Sequence, residues 1–226
     1  MSSYIFVPSP VEQLMKEIDL STWSRRPHYE FFRTFQMPFF DVAARVDLTE
    51  MVEFVRREDK SLFATMLQRV TKAATATQNL RYRFRGERVF EVEQCQPSFT
   101  VLGDDETFNY ATALYDDDLD VFTERVRQAA EENRNRPDIN LSEDHRLELI
   151  YVTCMPWLDF QAITHPIIGD ENDCAPRIAW GKIVETDQGR WETTLQVTAH
   201  HSLVDGLQVA RFFEAFEKVK TPESSD

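Results

Sequence analysis

Apolar positions recur at helical spacing in some stretches of the chain and at every second position in others. Residues 26–35 predict a short helix, with Pro27 in the first turn where proline is tolerated. Residues 39–46 read as a strand. Asp47 or Thr49 then caps a helix with Leu48, Met51, Val52 and Val55 on one face, and a second helix carries Leu62, Phe63, Met66, Leu67, Val70 and Ala74. The period next changes to two: Arg81, Arg83 and Arg85 alternate with Tyr82 and Phe84, and Gly86 with Glu87 predicts a hairpin turn. Strands follow at 98–102 and 108–114. The acidic run 116–120 heads a helix carrying Leu119, Phe122, Val126 and Ala130, where carboxylates suit the positive helix end. After a polar loop over 133–143, strands are predicted at 149–154, 160–164, 177–185 and 190–199, the last two joined by a turn at Asp187, Gln188 and Gly189. Residues 207–219 close as an amphipathic helix with Val209, Phe212, Phe213 and Phe216 on one face. This mixture predicts an α/β (α+β) two-layer sandwich, a mixed and largely antiparallel sheet covered by helices.

Composition narrows the partners. The 226 residues are 42% apolar and 12% aromatic, enough for one core, and a single domain over 1–226 is expected. With 25 Lys and Arg against 39 Asp and Glu, the net charge of −14 argues against nucleic acid and against anionic lipid. No apolar run approaches the ~20 residues that span a bilayer. The first ten residues lack the basic start and apolar stretch of a signal peptide. Cys95, Cys154 and Cys174 are too few and too scattered for a disulfide framework or a zinc site, and read as reduced thiols of a cytoplasmic protein. The acidic run lacks the glycine and terminal glutamate of a calcium loop, so no metal is expected there.

One stretch carries chemistry: His200-His201-Ser202-Leu203-Val204-Asp205-Gly206, between a strand and a helix. If the alternation persists, His201 shares a face with Leu195, Val197 and Ala199, and His200 points the other way with Gln196 and Thr198. Adjacent histidines facing apart do not chelate one metal. A histidine at the end of an apolar strand is a natural general base, because its ring is largely neutral at physiological pH. Asp205 then needs a partner if buried, and Gly206 lets the backbone turn into the helix. The plainer alternative is a satisfied core histidine followed by an N-cap aspartate. A nucleophilic serine finds no GxSxG, and no cysteine adjoins a histidine.

The same stretch resembles the HHxxxDG signature of CoA-dependent acyltransferases, and the wider chain resembles the chloramphenicol acetyltransferase family in order. Trp23 through Phe32 is similar to the family's W-x-R-x-x-H-[FY]-x-x-[FY] opening. Leu80-Arg81, Phe99-Thr100-Val101 with Glu106-Thr107-Phe108, Pro156-Trp157-Leu158-Asp159-Phe160, and Ala175-Pro176 with Gly181-Lys182 match further family segments. The resemblance implies a homotrimer with active sites between subunits. It also implies direct transfer of an acetyl group from acetyl-CoA, the co-substrate, to a small hydroxylated acceptor. His201 is then the base, Thr153 stands where the family has the serine that stabilises the oxyanion, and Asp205 pairs with Arg25. Lys182 and Ile183 fall on the CoA side, and Phe32, Phe40, Leu102 and Ala179 in the acceptor pocket. Several positions depart from the family: Phe32 replaces a tyrosine, Ala179 a threonine, Ile183 a tyrosine, Leu102 an aromatic residue and Phe39 a glycine. These changes are compatible with an acetyltransferase for chloramphenicol or another hydroxylated acceptor. They are equally compatible with an inactive trimer serving as a ligand-binding or assembly scaffold.

Overall fold

A computed structural model describes residues 15–137, 139, 146–167 and 172–219. The expectations for residues 1–10, for the tail 221–226 and for positions 138 and 140–143 of the polar loop lie outside these residues. In chain order the elements are β1 (Met15–Glu17), α1 (Arg26–Phe32), β2 (Phe39–Asp47), α2 (Thr49–Arg57) and α3 (Leu62–Ala76), a 3-10 turn (Gln78–Arg81), then β3 (Tyr82–Arg85), β4 (Arg88–Val92), β5 (Gln96–Leu102), β6 (Phe108–Thr112), α4 (Leu119–Asn133), β7 (Leu149–Cys154), β8 (Arg177–Trp180), β9 (Val184–Glu185), β10 (Trp191–His200) and α5 (Gly206–Lys218).

The main sheet has the order β2-β10-β8-β7-β5-β6, with β9 also paired to β10. β5, β7 and β8 run parallel to one another and the other pairings are antiparallel. β1, β4 and β3 form a separate small sheet. The mixed, mostly antiparallel sheet with helices packed on it agrees with the fold class expected from the sequence. Among the described residues no helix is long and apolar enough to cross a membrane.

The two faces of the main sheet differ. Leu195, Val197 and Ala199 of β10, Ile178 and Trp180 of β8, and Val152 of β7 are buried in the core, where α2 meets β10, α3 meets β5 and α4 meets β6. The alternate positions form polar rows across the strands. Ser98, Tyr151, Arg177, Thr198 and Asp41 stand in one row; Thr153, Ala179, Gln196 and Ala43 in the next. Thr198 donates its hydroxyl to Asp41, and Gln196 bonds both the amide and the carbonyl of Ile163.

Local signals account for most boundaries. The Ser61 hydroxyl accepts the Ala64 amide at the start of α3, and Asp118 accepts the amides of Asp120 and Val121 at the start of α4. Asp47 contributes differently from expectation: its carboxylate accepts the Thr49 amide and hydroxyl, while Leu48 occupies the N-cap of α2. Gly86 (φ +58) and Gly189 (φ +72) hold the left-handed conformation their hairpin turns require.

Three expectations are corrected. The predicted helix over 26–35 ends at Phe32. Residues 160–164 form no strand; this segment lies across the polar sheet face, tied to Gln196. The predicted strand 177–185 breaks between β8 and β9, because Gly181 passes so close to the 158–160 segment that a Cβ would lie 2.7 Å from the Leu158 carbonyl. Arg83, one of the alternating arginines, turns out to be buried. It is 1% exposed, and its guanidinium donates to the carbonyls of Leu80, Tyr82 and Leu149.

Candidate active site

β10 stops at His200 because the chain turns there. The His201 amide donates to the Pro38 carbonyl (2.8 Å), and the amides of Leu203 and Val204 return to the His200 carbonyl (2.9 and 3.1 Å). His201 is therefore a turn residue, and the expectation that it continues the buried face of β10 is replaced by this geometry. The deeply buried imidazole is that of its neighbour: His200 is 4% exposed.

Arg25 clamps the turn from outside. Its Nε donates to the Ser202 carbonyl (2.8 Å) and its Nη2 to the His201 carbonyl (2.9 Å). The same guanidinium grips both Asp205 carboxylate oxygens at 2.7 Å. This bidentate pair is the partner that Asp205 needs, and it holds that carboxyl below its usual pKa. Asp205 also forms a capping box with Gln208 at the start of α5. Gly206 plays a smaller part than expected, since its backbone is not left-handed and a Cβ there would meet no atom within 4 Å.

The His201 ring lies in an aromatic slot. Phe32 stacks on it at 4.1 Å with planes 10° apart, and Phe40 lies at 4.6 Å. Phe31 and Phe35 extend the aromatic wall from Phe32. The Nδ1 atom sits 3.1 Å from the Val204 carbonyl and 3.2 Å from an Asp205 oxygen. Both neighbours only accept, so Nδ1 carries the proton of the neutral ring and Nε2 keeps its lone pair. The side chain is 36% exposed, and among the described residues no hydrogen bond occupies Nε2.

Thr153 and Ala179 belong to a different part of the sheet. They pair with each other on β7 and β8, in register with Gln196 of β10. Gln196 precedes His200 by four residues, about 13 Å along the strand, and β7 lies two strands over, about 10 Å across. One chain therefore does not bring Thr153 to His201. Among the described residues no hydrogen bond occupies the Thr153 hydroxyl. Lys182 is exposed just beyond β8, and Ile183 lines a cleft of about 470 Å³ with Val52, Val55, Arg56, Lys60 and Trp191. The Arg56 guanidinium covers the Trp191 ring at 4.3 Å. Leu102 ends β5 against Phe108 of β6, far across the sheet from His201, and is exposed. Of the predicted site residues, the fold thus joins His201, Arg25, Asp205, Phe32 and Phe40. It leaves Thr153, Ala179, Lys182, Ile183 and Leu102 elsewhere in the same chain. The Val204 carbonyl and Ser202 had no sequence signal beyond lying inside the motif.

Comparison with known proteins shows the family. The family model described as chloramphenicol acetyltransferase matches residues 14–217. A chloramphenicol acetyltransferase 2 of Escherichia coli is 25% identical over 205 residues, 88% of this chain and 94% of that protein. A chloramphenicol acetyltransferase of Streptomyces acrimycini is 25% identical over 209 residues, 91% of each chain. Among solved structures, a chloramphenicol acetyltransferase superposes with a TM-score of 0.82 at 24% identity, covering 90% of this chain and 98% of that one. The cubic core of a pyruvate dehydrogenase multienzyme complex shares the fold at TM-score 0.65 and 14% identity, over 84% of each chain.

Proposed function

Because the chain belongs to the chloramphenicol acetyltransferase family, we propose that it moves an acetyl group from acetyl-CoA to the hydroxyl of a small acceptor, chloramphenicol or a similar alcohol, with His201 as the general base. The observation that carries this reading is the His201 ring itself. Its Nδ1 proton is committed to the Val204 carbonyl, its Nε2 has no hydrogen-bond partner among the described residues, and the partly exposed ring stacks on Phe32.

The chemistry follows from that atom. Nε2 takes the proton from the acceptor hydroxyl as the oxygen attacks the thioester carbonyl of acetyl-CoA. A tetrahedral oxyanion forms, the carbon–sulfur bond breaks, and the CoA thiolate leaves with the proton returned by the imidazolium. The products are the acetyl ester and free CoA, with no acyl-enzyme. The transient imidazolium gains from the Asp205 oxygen 3.2 Å from Nδ1.

The oxyanion needs a donor, and the Thr153 hydroxyl of the same chain is too far away. We infer that a second copy supplies it, so that each site forms between subunits of a homotrimer. Two observations support this: the separation of Thr153 from His201 along the sheet, and the exposure of Trp157 (71%) and Met37 (89%), one beside each half-site. Lys182, Ile183 and the Arg56–Trp191 cleft then face the nucleotide end of CoA, where cationic side chains suit its phosphates. Phe32, lacking a hydroxyl, offers the acceptor an apolar wall and no hydrogen bond.

A thiol-release assay with acetyl-CoA and a panel of hydroxylated antibiotics and metabolites tests the reading. Release with at least one acceptor, abolished by His201→Ala, is the expected result. CoA that fails to bind at millimolar concentration in calorimetry would sink the proposal.

A further inference from the structure

The two histidines that close β10 are held in opposite ways, and the proposed reaction uses only one of them. The His200 ring is packed edge-to-face between Phe39 and Phe84, each at 5.1 Å. Its Nδ1 receives the backbone amide of Ser202 at 3.2 Å and meets the Ser202 hydroxyl at 2.7 Å. A backbone amide only donates, so this Nδ1 is bare and the ring's proton sits on Nε2. His201 has the reverse arrangement, its Nδ1 donating to the Val204 carbonyl.

Ser202 is fully buried and is gripped from two sides. His200 takes its amide and hydroxyl, and Arg25 takes its carbonyl. The next carbonyl back, that of His201, is also held by Arg25, and the Val204 amide is held by the His200 carbonyl. The position of the Val204 carbonyl, which fixes the base's tautomer, thus depends on a turn braced at Ser202.

We propose that His200 is a positioning residue for the acetyl transfer: its neutral ring, protonated only at Nε2, is the acceptor that braces the Ser202 turn, so the two adjacent histidines function in opposite tautomers. The surroundings keep it in that state. Burial comes first, followed by His201 and by the cations Arg177 on β8 and Arg33 after α1, and together they push its pKa down to about 4. A charged ring would set an Nδ1 proton against the Ser202 amide and lose the brace.

This inference rests on His201 being the base, and the test separates the two. Long-range proton–nitrogen NMR of the histidine-labelled protein at pH 7 is expected to show a bare Nδ1 for His200 and a bare Nε2 for His201, a readout independent of turnover. A protonated Nδ1 on His200 overturns the proposal. In kinetics, His200→Phe is expected to lower kcat about a hundredfold with KM for acetyl-CoA within twofold, and to mix the His201 tautomers. His200→Asn, whose amide oxygen can replace Nδ1, is expected to recover at least tenfold of that loss. If His200→Phe fails to fold, Ser202→Ala decides: about a tenfold loss in kcat is expected, and an unchanged kcat overturns the proposal. Wild-type protein that shows the opposed tautomers but releases no CoA with any acceptor sinks the base assignment instead.

Discussion

The two ends of the main sheet's central strands are built on different plans. At the His201 end, one chain supplies imidazole, tautomer-fixing carbonyl, ion pair and aromatic slot, and most polar groups around the turn are paired. At the Thr153 end, a flat strand carries a hydroxyl that no described neighbour uses, beside small Ala179 and exposed Trp157. The first is finished within the fold. The second has no comparable set of partners among the described residues of its own chain, which is what the proposed second copy would supply. A half-site that must aim a proton acceptor needs a rigid turn, whereas one that lends a single hydroxyl needs only a strand to stand on.

The contrast can be broken most sharply at the base. His201→Ala is expected to lower kcat by about 10³-fold or more while leaving the melting temperature nearly unchanged, since the ring is partly exposed. Thr153→Val, which keeps the shape and removes the hydroxyl, is expected to cost about 10²-fold in kcat. If the sites lie between subunits, co-refolding these two dead variants in equal amounts restores about a quarter of wild-type activity, because random assembly pairs an intact histidine with an intact threonine that often. No recovery in the mixed sample would place both groups in one subunit.

Acid is expected to act on the finished end. His200 is neutral when folded, with a pKa of about 4 against 6.5 for a free histidine. Protons therefore bind the unfolded chain more readily. The stability tied to the neutral ring is whole above about pH 6.5 and fades as the pH falls toward 4, by about 3 kcal/mol over the window. His165, lowered mainly by burial, adds loss of the same sign. Denaturant titrations at pH 7.5 and 4.5 measure it; equal stability at the two values would remove the buried neutral histidine from the picture. The smallest expected change is Asp205→Asn. It leaves Arg25, 10% exposed, without its counter-charge, and costs about 2 kcal/mol after allowing for the 35% exposure of the aspartate. Chemical denaturation reads the loss, with kcat falling alongside it.

Much of this was legible in the sequence for a physical reason. Helical spacing of large apolar residues located α2, α3, α4 and α5, because each buries one stripe, α2, α3 and α4 against the sheet and α5 against α3. Period-two patterning located β10 and the β3–β4 hairpin. The Arg25–Asp205 pair and the aromatic residues at 32 and 40 came from the family resemblance and meet at His201 in the fold. What alternation could not convey was where a partner lies along a neighbouring strand. Residues 160–164 look strand-like because Phe160 and Ile163 face inward, yet the side chain of Gln196 occupies the backbone groups of Ile163. Alternation alone did not show that Arg83 is buried with three carbonyls converging on it. The roles of the two histidines turned on a chain reversal one residue earlier than the pattern implied, set by the Pro38 carbonyl.

The Arg25 clamp also orders events in time. It joins positions 180 residues apart, so the imidazole cannot be aimed until the last strand and helix have left the ribosome and closed against the beginning of the chain. Such a long-range contact is slow to form. A nascent polypeptide without β10 lacks the strand that joins β2 to β8, so the sheet and the setting of the imidazole are completed together, late in synthesis.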